Sequence, residues 1–150
     1  RLNHHTEATS MLYAARECAR LTMLEGLEPR FERHAQTSRA MTAGLTAMGL
    51  ALFGDQANKM PNVTGVHVPQ GITGDHVRSA MLENFGIEIG TSFGPLHGKI
   101  WRIGTMGYAC TKANVLLCLS ALEASLRQHG YSGPWGAAVD TALEVFNTSA

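Results

Sequence analysis

Apolar and small side chains return at helical intervals from Thr6 to Glu25, at Met11, Ala15, Cys18 and Thr22, with Glu7, Arg16, Glu17 and Arg20 between them. That spacing predicts a helix, and Gly26 is placed to end it. Pro29 suits the first turn of a second helix, whose stripe of Phe31, Ala35, Ser38, Leu45 and Met48 runs to Gly49. Leu50 to Phe53 reads as a short strand and Gly54 to Pro61 as a loop. In the strand expected from Asn62 to Val68, Thr64, Val66 and Val68 fall on one face. After the Pro69-Gln70-Gly71 turn, Thr73 is placed to cap a helix carrying Val77, Met81 and Phe85, with Gly86 as its stop. Ile87-Glu88-Ile89 alternates as a strand. The glycine-rich loop from Gly90 to Gly98 separates it from a strand at Ile100 to Gly104, a plausible antiparallel neighbour. Thr111 can cap a helix to about Gln128, where Val115, Leu119, Leu122 and Leu126 make the cleanest period in the chain. A weakly amphipathic segment follows from about Pro134 to Phe146. This mixed order predicts an α+β sandwich, a small, mostly antiparallel sheet with helices on one face.

The 150 residues carry 12 Lys+Arg against 12 Asp+Glu, and 45% are hydrophobic, so one domain with a proper core is expected. Balanced charge gives no long-range attraction for nucleic acid or an anionic membrane, and no apolar run approaches the ~20 residues of a membrane span. Neither is expected as a partner. Cys18, Cys110 and Cys118 form no CxxC pair, which fits thiols kept reduced in a cytoplasm. The start at Arg1, followed by a polar His-His-Thr-Glu stretch, gives the expectation of a piece of a longer protein.

Arg102 sits mid-strand, so if Trp101 and Ile103 face the core its guanidinium points to the other face, as a carboxylate-gripping fork or as a solvated or ion-paired arginine. His4, His5 and Glu7 lack the spacing and third ligand of a metal site; adjacent histidines on an extended chain point to opposite sides, and no metal is expected. Thr6 and Thr9 are alternative caps for the first helix, whose N-terminus could equally hold a phosphate. The glycines at 90, 94 and 98 match no nucleotide-binding pattern, and no GxSxG occurs. Cys18 and Cys118 read as core residues. Lys59, Lys99 and Lys112 lie in or beside turns and helix starts and read as exposed.

His4-His5-Thr6 entering a helix with Leu12-Tyr13, Gly86-Ile87-Glu88-Ile89, Phe93-Gly94-Pro95 through Gly98-Lys99, and Trp101-Arg102-Ile103-Gly104-Thr105-Met106-Gly107 together resemble the C-terminal part of class V aminotransferases. These are fold type I enzymes that use pyridoxal 5'-phosphate (PLP). The resemblance runs to about His129, and Asn3 to Thr9 with Gly90 to Gly94 look closest to the ureidoglycine/glyoxylate type, the alanine/glyoxylate and serine/pyruvate types being relatives.

The resemblance implies that Arg102 grips the substrate α-carboxylate, that Thr6 reaches the phosphate of the PLP bound by the other subunit of a homodimer, and that Asn3 contacts a ureido donor. It also implies that the Schiff-base lysine lies upstream of Arg1 in a large domain, so that no catalytic residue is in this chain and the chain alone is inactive. On this reading residues 1–9 are the edge of that large domain, 10–130 the C-terminal small domain, and 131–150 a C-terminal tail expected to be helical. The expected activity of the full-length parent is transfer of an amino group from ureidoglycine, alanine or serine to glyoxylate or another 2-oxo acid, in purine catabolism. A stand-alone carboxylate-binding or regulatory module without catalysis is the alternative.

Overall fold

The computed structural model of the chain describes residues 4–148, which fall into two units divided between Glu32 and Arg33. In the first, α1 (Thr9–Glu25) has no side-chain cap, because the capping position falls on Ala8, whose methyl group cannot accept a hydrogen bond; the hydroxyl of Thr9, already inside the helix, donates to Glu7 O at 3.3 Å. Gly26 ends α1 at φ 84°, a conformation open to glycine without strain, and its N–H donates to Thr22 O. None of the α1 residues is buried, so Cys18 is exposed, contrary to the sequence reading. The cause is pattern: Met11, Leu12, Tyr13, Leu21, Met23 and Leu24 spread around the helix and make no single stripe.

The core of the second unit gathers Met41 and Leu45 from α2 (Leu27–Ala47), Val77 and Met81 from α3 (Gly74–Phe85), and Val115, Leu119, Leu122 and Leu126 from α4 (Lys112–Gln128). Thr111 caps α4 as expected, accepting the Asn114 N–H at 3.2 Å. Thr73 precedes α3 without a side-chain cap, and Gly86 ends it in the left-handed conformation. These helices back a three-stranded antiparallel sheet in the order β1-β3-β2, with β1 at Val63–His67, β2 at Gly90–Thr91 and β3 at Ile100–Gly104. Val66, Trp101 and Ile103 send their side chains into the core.

Two expected strands are reduced. Leu50 to Phe53 keeps only the bridge Leu52↔Val66, flanked by bonds from Phe53 N–H to Gly65 O and from His67 N–H to Ala51 O. Ile87 to Ile89 is not a strand, since Ile87 N–H is taken by Met81 O at the end of α3 and Ile89 O by Arg78 Nε at 2.8 Å. Strand pairing therefore begins at Gly90. The C-terminal segment forms α5 (Ala137–Thr148), which buries Ala138 and Ala142 in the same core. A Cβ on Gly44 would meet Leu119 Cδ1 at 2.4 Å and Ala138 O at 2.9 Å, so α2 approaches both at backbone distance only because residue 44 is glycine.

Candidate functional site

Alternation along β3 does what the sequence pattern requires. Trp101 and Ile103 are 1% and 3% exposed, Trp101 Nε1 donates to Gly74 O at 3.1 Å, and Arg102 is turned to the exposed face. The pairing register adds what the sequence does not display. Arg102 lies opposite Gly65 on β1 and Gly90 on β2, so neither neighbouring strand puts a side chain beside it. A Cβ at Gly90 would stand 3.7 Å from Arg102 Nε.

Two contacts orient the guanidinium. Nε donates to Thr91 O at 2.8 Å, and the group lies over the Phe93 ring, 5.2 Å from its centroid. Its terminal nitrogens have no partner among the described residues, which leaves a planar pair of donors on the exposed face of the sheet. The loop carrying Phe93 is braced by a tight turn at Gly94–Leu96 and by His97 Nδ1, 3.2 Å from the carbonyl of buried Ser92.

The segment after β3 is fixed from α2. Arg33 Nη1 donates to Gly107 O at 3.0 Å and Cys110 O at 2.8 Å, while Gly107 N–H donates to His34 Nε2. Neither Arg33 nor His34 stood out in the sequence, because their partners lie more than seventy positions away.

Other expectations divide. Thr6 is exposed, caps nothing, and has no side-chain partner among the described residues; Asn3 lies outside the described residues. His4 and His5 do not diverge: the chain bends there and their rings stack with centroids 4.3 Å apart. No group of three metal-binding side chains forms among the described residues. Lys59 is half-buried rather than exposed, its amine donating to Ser38 Oγ at 2.9 Å and Thr64 Oγ1 at 3.4 Å, and burial pushes its pKa down. Lys99 and Lys112 are exposed. Cys118 is buried, which pushes its thiol up to about 12. A cleft of about 270 Å³ lined by Met41, Ile87, Ile103, Thr105, Leu117 and Cys118 does not include Arg102.

In this chain an open three-stranded antiparallel sheet with helices packed on one side matches the C-terminal domain of fold type I aminotransferases. Its relatives narrow the class. The chain is 58% identical over 149 residues to the (S)-ureidoglycine–glyoxylate transaminase of Bacillus subtilis, covering 99% of this chain and 36% of that protein. It is 40% identical to the alanine–glyoxylate aminotransferase of Callithrix jacchus, over 85% of this chain and 31% of that one. Among solved structures, the ureidoglycine–glyoxylate aminotransferase of Bacillus subtilis superposes with a TM-score of 0.93 at 59% identity, covering 98% of this chain and 38% of that one. No family profile matches the chain. The chain thus spans about a third of the length of the curated relatives it matches.

Proposed function

We propose that the polypeptide carrying this domain is a PLP-dependent transaminase that moves an amino group from a small donor to glyoxylate or another 2-oxo acid. The observation that carries this reading is Arg102, held by Thr91 and Phe93 with glycines opposite it on both neighbouring strands and no partner for its terminal nitrogens among the described residues. A guanidinium so placed donates two parallel hydrogen bonds to a carboxylate. Donor and acceptor both carry an α-carboxylate, so one arginine orients the reacting carbon of each in turn.

PLP, when bound, supplies the electron sink that lets the amino group leave one carbon for another. The residues present fit a supporting role toward it. Thr6 offers a hydroxyl with no partner among the described residues in an exposed stretch, suited to a phosphate oxygen of the cofactor held by the second subunit of a homodimer. Of the described lysines, Lys59 is engaged by two buried hydroxyls and Lys112 faces Asn147 and the Phe146 ring, while Lys99 is exposed just before β3. The covalent anchor is assigned to the part of the relatives' length that this chain does not span. Asn3 is assigned to the donor's ureido group, which gives the enzyme a place in cytoplasmic purine catabolism.

The test is steady-state kinetics of the full-length protein. Arg102→Ala is expected to lower kcat/KM for both half-reactions by about a hundredfold, since it deletes a charge-assisted bidentate contact. Rates within about twofold of wild type would remove the assignment. In the same assay Asn3→Tyr should move preference from a ureido donor towards alanine or serine, and an unchanged donor ranking would withdraw the ureidoglycine reading.

A further inference from the structure

Phe93 lies outside the strand that carries the arginine, and 74% of its surface is exposed at the start of a glycine-rich loop. An apolar ring left in water at that position has no packing role to explain it. Its one ring contact among the described residues is with the Arg102 guanidinium, at 5.2 Å from the centroid. The distance is within cation–π range, and the ring occupies one face of the fork while its edge stays open.

We infer that Phe93 is a positioning residue for substrate binding, holding the Arg102 fork in the orientation that receives the α-carboxylate; this rests on the transaminase reading above. The argument is one of degrees of freedom. The bond from Arg102 Nε to Thr91 O fixes one point of the guanidinium, but the plane can still turn about that bond. Gly65 and Gly90, opposite Arg102 on the two flanking strands, supply no side chain to stop it. The Phe93 face does, and the Phe93 backbone is in turn set by the turn at Gly94–Leu96 and the His97 to Ser92 contact. The ring stabilises the charged fork in the free enzyme and with either substrate, so its loss should weaken binding without altering chemistry.

The experiment is kinetics of the full-length enzyme with Phe93→Leu and Phe93→Tyr. Leucine keeps apolar bulk and removes the π face; tyrosine retains the face. Phe93→Leu should raise KM for both donor and 2-oxo acid about three- to fivefold with kcat within about twofold of wild type, and Phe93→Tyr should bring KM back to within about twofold. Equal KM values for Phe93→Leu and wild type, a fall in kcat without a KM change, or a Phe93→Tyr variant as impaired as Phe93→Leu would each overturn the inference. An enzyme that depends on Arg102 but is indifferent to Phe93→Leu removes this inference alone. An enzyme indifferent to Arg102→Ala removes the reading beneath it as well.

Discussion

At the scale of single residues, what decides reactivity is the environment each side chain acquires. Cys18 and Cys118 both sit on helices, yet one is exposed and the other buried, with its thiol raised from the usual 9.0 to about 12 by the loss of water around the thiolate. Two consequences follow for the chain. Near pH 8, iodoacetamide should label Cys18 and spare Cys118 until denaturant is added, as read by peptide mass; comparable labelling rates would contradict the burial. The unfolded thiol ionises from about pH 9 while the folded one stays neutral to about 12. Ionisation then favours the unfolded chain, so stability should decline across that window, and Cys118→Ala should flatten the decline in alkaline denaturation curves.

At the scale of elements, the legible features were those encoded by local period. The α4 stripe of Val115, Leu119, Leu122 and Leu126 is fully buried, and the outward turn of Arg102 follows from alternation with Trp101 and Ile103. What the sequence hid depends on partners distant along the chain. The pairing of Arg102 with Gly65 and Gly90 is a matter of register, and the non-strand at Ile87 to Ile89 arises because Met81 and Arg78 take its backbone groups first. The Lys59 perch on Ser38 and Thr64 is equally nonlocal. The last segment of the chain is likewise more than an appendage, since Ala138 packs where Gly44 lets α2 come close. Gly44→Ala gains helix propensity on an ordinary surface, but here the added methyl must displace Leu119 and the Ala138 carbonyl. The net effect should be a loss of about 1–3 kcal/mol, seen as a lower urea midpoint, whereas a stabilised variant would mean that α5 does not dock there.

At the scale of the whole molecule, the question is what a chain spanning about a third of its curated relatives' length can do by itself. The chain keeps a closed core of its own and a complete arginine platform, and both are local to residues 33–148. It also exposes Met11, Leu12, Tyr13, Met23 and Leu24 along α1, an apolar area that water solvates poorly. Transamination needs an amine that holds PLP covalently and a group that keeps its ring nitrogen charged. Among the described lysines, Lys59 and Lys112 are already engaged, and Lys99 is exposed beside the arginine strand. The chain supplied with PLP, a donor and glyoxylate should therefore give no turnover. On the proposed reading, co-expression with the part of its relatives' length that it does not span should recover activity that neither piece has alone, measured by loss of glyoxylate. Turnover by the chain alone would place the covalent amine within these 150 residues and make Lys99 the first lysine to replace. An intact parent inactive with every donor would return the domain to carboxylate binding without chemistry, and Arg102→Ala would then be read by carboxylate affinity rather than by rate.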